Sequence, residues 1–296
     1  MLQAISPKHD AHHERRRKNS LANLTASLRD GKVHLLLAAS GSVATIKLPL
    51  IIESLAQRHE SRSGKELSIR VLLTPSATRF LAGQSHEQPN VSSLLSMPCV
   101  DGVYEDADEW KEPWKRGDSI LHIELRRWAD LLVIAPLSAN TLAKIVGGFA
   151  DSLLTSVVRA WDAWGDLDYD AATNGNQPLL NGDRRRRQKK RILVAPAMNT
   201  AMWRHPVTAK SLRVLEEEWG INSRLFNQSA SKQPTIEEEV QKLDEPQKET
   251  GNEEDGGWFE VLKPQQKTLA CGDVGDGAMM DWRDIVAVVE DRLGLS

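Results

Sequence analysis

Four short apolar runs, at residues 33–39, 69–74, 131–135 and 192–195, alternate with stretches of helical spacing, and this alternation constrains the fold more than any other feature. Each run is brief, rich in leucine or β-branched residues, and lacks the polar alternation of a half-exposed strand. That is the pattern of parallel strands buried on both faces. The intervening stretches, 48–56, 141–145 continuing through 153–161, and 207–219, repeat apolar residues every three or four positions. Strand and helix in turn predict an α/β, doubly wound parallel sheet covered on both faces, with right-handed crossovers. A closing helix is expected over 282–293, where Ile285, Val286, Val289 and Leu293 share one face.

Composition narrows the function classes. A net charge of −3 gives no reason to expect nucleic acid as a partner. Two cysteines, Cys99 and Cys271, make neither a disulfide framework nor a zinc site, so no metal is expected and a reducing cytoplasm is. No apolar run approaches the length of a membrane span. Residues 1–30 carry His and Arg without an apolar signal core and are expected to be a disordered leader, with one domain over 31–296. Three polar segments, at about 84–97, 165–191 and 228–257, read as surface insertions with too little apolar area to offset the entropy of ordering. The basic run 184–191 would suit nuclear targeting, although a solvated loop entering a strand is the plainer reading.

In an open α/β sheet, ligands bind beyond the carboxyl ends of the strands. Here each strand end carries small or hydrogen-bonding residues: Ser40-Gly41-Ser42-Val43, Thr74-Pro75-Ser76, Ser138-Ala139-Asn140-Thr141 and Pro196-Ala197-Met198-Asn199. Any one of these is ordinarily a helix cap. Four in register make a ligand rim. Neither a G-x-G-x-x-G nor a G-x-x-x-x-G-K-[ST] motif is present, which disfavours a dinucleotide or nucleoside triphosphate and suits a mononucleotide with one phosphate.

Several stretches are more specific. Ser138-Ala139-Asn140-Thr141, Pro196-Ala197-Met198-Asn199, and Cys271-Gly272-Asp273 followed by Gly275 and Gly277-Ala278-Met279 resemble the signatures of homo-oligomeric flavin-containing cysteine decarboxylases. The stretch from His122 to Asp130 is similar to the phosphopantothenoylcysteine decarboxylase branch, and the insertions resemble those of fungal members. The resemblance implies a flavodoxin-like, Rossmann-like three-layer fold holding FMN, with the phosphate near Gly41, Ser42 and Val43. Thr74, Ser76, Ser138, Ala139, Asn140, Thr141 and Ala197 match further FMN-contacting positions. It also implies a reaction, 4′-phosphopantothenoylcysteine to 4′-phosphopantetheine in coenzyme A biosynthesis. The substrate carboxylate has no electron sink, so FMN-dependent oxidation of the thiol to a thioaldehyde precedes loss of CO₂, and re-reduction follows.

By the same resemblance His122 is the catalytic histidine, Asn199 and Met202 contact the substrate, and Cys271 donates the proton in the last reduction. A histidine suits proton transfer near neutrality, and an amide binds a carboxylate without adding charge. Gly272, Gly275 and Gly277 suggest a flexible closing flap around Cys271, whereas Cys99 lacks such a setting and reads as structural. The family implies a homotrimer with active sites between subunits. Some fungal relatives instead inhibit a type-one protein phosphatase, so its catalytic subunit is a second candidate partner, with acidic stretches 237–239 and 253–255 the features to consider.

Overall fold

The computed structural model describes residues 19–60, 64, 66–165, 167, 189–222, 256–268 and 274–295. The strands, in chain order, begin with β1 (Val33–Ala39) and β2 (Leu67–Leu73), then a small hairpin, β3 (Ala82–Ser85) and β4 (Gln88–Asn90). Next come β5 (Val100–Glu105), β6 (Leu131–Leu137), β7 (Arg191–Pro196) and β8 (Phe259–Val261), and a second hairpin, β9 (Gln265–Thr268) and β10 (Val274–Ala278). The helices are α1 (Leu21–Ala26), α2 (Leu48–Glu60), α3 (Pro75–Thr78), α4 (Leu121–Trp128) and α5 (Ala139–Val146). They continue with α6 (Leu153–Arg159), α7 (Thr200–Trp203), α8 (Pro206–Arg213) and α9 (Trp282–Leu293).

Six strands form one sheet in the order β5-β2-β1-β6-β7-β8, and every pairing within it is parallel. Counting sheet strands alone, this is the order 3-2-1-4-5-6, which reverses direction between β1 and β6. The expected doubly wound three-layer architecture is therefore present, with the Rossmann-like strand order. Alternate residues of β1 explain why its sequence is continuously apolar. Leu35, Leu37 and Ala39 pack beneath α2 and α9 with Ile51, Leu55, Ile285 and Val289. Leu36 and Ala38 pack on the opposite face with Leu125, Trp128, Leu142 and Leu154 of α4, α5 and α6.

The structure departs from the sequence expectations at definite places. Strands β5 and β8 extend the sheet beyond the four anticipated. β5 interrupts its apolar residues with Asp101, Gly102 and Glu105, which an edge strand tolerates, and β8 has only three residues. The helix expected to run from 141 through 161 is two, because Gly148 takes φ +73° and Ser152 caps a fresh start at α6. The last stretch of the 207–219 helix is a π turn over Val214–Glu218.

The boundary of the leader also moves. Residues 1–18 lie outside the described residues, but α1 is folded and its Leu24 is wholly buried. Arg70 of β2, 1% exposed, holds it there by donating to Asn23 Oδ1 at 3.0 Å and Ser27 Oγ at 3.1 Å. The same guanidinium lies 5.0 Å from the Trp128 ring centroid and bonds the Tyr104 hydroxyl, whose pKa burial pushes up to about 12 against the opposing charge of Arg70.

Segment 84–97 is not a loose insertion either. After the β3–β4 hairpin, a 3₁₀ turn over Val91–Ser96 seats Leu94 and Leu95 in the core under α2. Leu94 is fully buried, so Leu94→Ala should destabilise the protein by roughly 2–5 kcal/mol, read as a lower denaturant midpoint with unchanged slope. A loss below about 0.5 kcal/mol would restore the reading of 84–97 as a dispensable surface segment. Of 165–191, residues 166 and 168–188 lie outside the described residues; so do 223–255, which hold both acidic stretches. Gly256 and Gly257, assigned to the third insertion, are instead buried against Ile221 and Trp219, where an added Cβ would fall 1.6 and 2.1 Å from backbone oxygens.

Candidate functional site

The carboxyl ends of β1, β2, β6 and β7 meet at the point where the strand order reverses. Ser40, fully buried, ties the two sides of that point: its hydroxyl donates to Pro136 O at 3.0 Å and accepts from the Ser138 N–H at 2.7 Å. Backbone bonds from Thr74 N to Ala39 O (3.2 Å) and from Ala197 N to Leu137 O (2.9 Å) align the outer two ends. The four predicted clusters are thus brought onto one rim. Ser40, expected on the rim as the first residue of its cluster, is thus turned inward to hold the rim together.

Three of the clusters also serve as caps. Thr74 accepts from Ala77 N at 3.3 Å, Ser138 from Thr141 N at 3.3 Å, and Asn199 from Met202 N at 2.8 Å. Ser138 also donates to Thr141 Oγ1 at 3.2 Å, so it shapes the rim with both of its hydroxyl functions engaged internally. The capping bond turns Asn199 Oδ1 inward, so the two N–H donors are the end left for a ligand on this exposed side chain. Ser76, Asn140 and Val43 are exposed at the same rim, and Met202 is exposed beyond it, while Ala139 is half-buried and Ala197 buried.

The turn after β1 differs from the other three. Ser42 is extended and makes no side-chain cap to the 3₁₀ turn Val43–Lys47, so the first N–H groups there are not taken by a hydroxyl. Gly41 sits so close to the turn after β2 that an added Cβ would lie 2.4 Å from Ser76 Oγ and 2.6 Å from Ser76 Cβ. A backbone approach with uncapped N–H groups suits a phosphate, and the surrounding hydroxyls and amides suit a polar heterocycle. These residues fit FMN.

The β9–β10 hairpin covers the β7 end of the rim. Met198 N donates to Gly277 O at 2.9 Å, and Arg204 Nη2 pairs with Asp276 at 2.9 Å. Gly275 and Gly277 are here for close packing rather than flexibility. A Cβ on Gly277 would meet Met198 O at 2.4 Å, and one on Gly275 would meet Thr200 Oγ1 at 1.7 Å. Thr200 Oγ1 is buried without a hydrogen-bond partner among the described residues. Cys271, with Gly272 and Asp273, lies outside the described residues, between the two strands in sequence. The expected flexible flap is therefore corrected for its β10 glycines.

His122 stands apart from the rim. It is the second residue of α4 and lines a cleft of about 540 Å³ with Asp106, Glu109, Trp110, Asp151, Ser156 and Arg159, and none of the rim residues lines it. A second cleft, about 510 Å³, adjoins it through Glu109 and Trp110. His122 Nδ1 bonds Glu109 Oε1, and the glutamate side chain is only 4% exposed against 21% for the histidine. Burial pushes the neighbouring Asp106 carboxyl above the usual carboxylate range, opposed by the Leu153 N–H that it accepts at 3.1 Å. Glu109 was not singled out from sequence, because nothing local to it records that its turn packs against His122. No cluster of metal-ligating side chains occurs among the described residues.

Comparison with known proteins places this geometry. The family described as Flavoprotein matches residues 24–294. A Schizosaccharomyces pombe protein described as a probable thymidylate synthase is 37% identical over 268 residues, which are 90% of this chain and 30% of that protein. The chain thus spans about a third of the length of the first curated relatives it matches. A phosphopantothenoylcysteine decarboxylase of Arabidopsis thaliana is 36% identical over 250 residues, 84% of this chain and 80% of the relative. Among solved structures, a cysteine-to-serine mutant of PPC decarboxylase complexed with pantothenoylaminoethenethiol superposes with a TM-score of 0.54 at 34% identity, covering 88% of this chain and 97% of the other. The FMN binding protein AtHal3 gives 0.52 at 33% identity, covering 90% and 98%.

Proposed function

The chain belongs to the Flavoprotein family, and from that premise we propose that it is an FMN-dependent phosphopantothenoylcysteine decarboxylase of coenzyme A biosynthesis. The observation that carries this reading is the rim itself: four strand ends meeting at the reversal point, with hydroxyls and amides on three turns and no side-chain cap on the turn that starts at Val43. FMN supplies there the electron sink that a saturated cysteine carboxylate lacks. Thr74, Ser76, Asn140 and Thr141 line its place, and Gly41, Ser42 and Val43 meet its phosphate.

The chain's own residues then have separable tasks. Asn199 directs its N–H donors at the substrate carboxylate, holding it without a charge that would oppose departure of CO₂. Met202, 53% exposed, gives an apolar surface to the substrate tail. His122 exchanges the thiol proton at Nε2, the nitrogen that Glu109 leaves unengaged. Cys271 donates the proton that completes the saturated product, a role supported by the ethenethiol held in the cysteine-to-serine relative.

The His122 cleft and the rim share no lining residue, which supports a site assembled between copies, one giving the rim and the next giving His122. We accordingly read the assembly as a homotrimer, working in the cytoplasm, where two widely spaced cysteines stay reduced. The purified protein should be yellow, release FMN on heating, and convert 4′-phosphopantothenoylcysteine to 4′-phosphopantetheine with CO₂, seen by mass spectrometry. A colourless protein that gains no flavin absorbance with added FMN would end this reading.

A further inference from the structure

The contact that the decarboxylase reading leaves unused is the one on the inner side of His122. Glu109 follows a short 3₁₀ turn, Asp106–Asp108, whose position is fixed twice. Glu105 N donates to Asp108 Oδ2 at 2.9 Å, and Leu153 N donates to Asp106 Oδ1 at 3.1 Å, which pins the turn to the start of α6. This loop delivers a carboxylate, 4% exposed, onto His122 Nδ1. With the carboxylate as acceptor in this contact, the hydrogen lies on Nδ1. A buried carboxylate without such a partner would be costly, which makes the contact a constraint on both side chains.

We propose that Glu109 is the positioning residue for His122, holding the neutral imidazole in its Nδ1–H tautomer so that Nε2 faces the cleft as the basic nitrogen. This rests on the reading of His122 as the group that exchanges the substrate proton. When that proton moves, the substrate S–H bond breaks with its electron pair left on sulfur, and an N–H bond forms at Nε2. The imidazolium is then held across Nδ1 by the Glu109 carboxylate. No electrons are transferred in the step. A carboxylate fixed in place before the proton arrives lowers the reorganisation needed at that moment.

The test uses the FMN-loaded full chain with ¹⁵N-labelled histidine, and His122→Asn identifies the His122 resonances. Two-bond ¹⁵N correlation at neutral pH should show the Nδ1–H tautomer at His122. In Glu109→Gln that preference should be lost while FMN content is kept, with kcat/KM for decarboxylation falling on the order of 10²-fold. Glu109→Asp, which retains a carboxylate, should restore part of both. A role limited to stability would lower the denaturation midpoint without changing the tautomer. A wild-type His122 in the Nε2–H form overturns the proposal, and that measurement decides even if Glu109→Gln fails to fold. So does a folded Glu109→Gln with wild-type tautomer and rate. A Glu109-dependent tautomer in a protein that releases no CO₂ would keep the pair and remove the decarboxylase reading. The reverse result would do the opposite.

Discussion

His122→Asn is expected to reduce CO₂ release by at least about 10³-fold while FMN remains bound in full. Asparagine approximates the width of imidazole and can still bond the Glu109 carboxylate, but it cannot accept and return a proton near neutrality. FMN should be indifferent to the change because the proposed cofactor residues lie at the strand ends. Ser138 is bonded to Thr141 and to Ser40, Thr74 N bonds Ala39 O, and His122 lines a different cleft. The measurement is a pair: flavin absorbance per chain, and labelled CO₂ released from carboxyl-labelled substrate. A variant that decarboxylates at the wild-type rate removes His122 from the chemistry. A variant that loses FMN shows that His122 also helps to hold the cofactor.

Cys271→Ser should divide the reaction instead of stopping it. Oxidation and decarboxylation draw on FMN, His122 and Asn199, so CO₂ should still appear, for about one turnover per site under anaerobic conditions. Completion requires a proton on carbon, and a serine hydroxyl is a far weaker acid than a thiol, which ordinarily titrates near ~8.5. The released product should therefore be the enethiol, two hydrogens lighter than the amine thiol by mass spectrometry. Saturated product at the normal rate would place the acid on another residue. Absence of any CO₂ would mean that Cys271 acts before decarboxylation or that the β9–β10 hairpin needs it to admit substrate.

Much of this was legible in one dimension because the signal was local and dense. β1 spans the same residues, Val33–Ala39, that its apolar run marks out, and α9 matches 282–293, because both lie wholly inside the sheet or against it. The missed elements are those whose burial comes from neighbours. β5 earns its place at an edge despite Asp101 and Glu105, and β8 is a three-residue strand paired to β7. Leu24, Leu94 and Leu95 looked like stray leucines in polar segments, and only long-range packing makes them core. The glycines of β10 illustrate the converse error: composition suggested mobility, whereas Met198 O and Thr200 Oγ1 leave no room for a Cβ.

The sequence by itself determined the layer architecture, the four hydroxyl- and amide-bearing strand ends, and the residue types from which acid–base and proton-donor roles follow. Those depend on periodicity and on side-chain chemistry, both of which are properties of short stretches. The tertiary structure alone decided which turn presents uncapped N–H groups, since a cap is a geometric fact that Ser42 and Ser138 settle differently with the same hydroxyl. It also decided that Glu109, thirteen positions before His122, faces the imidazole, and that their cleft shares no residue with the rim. Contacts of that kind arise when separate elements pack, so the order of residues along the chain does not record them.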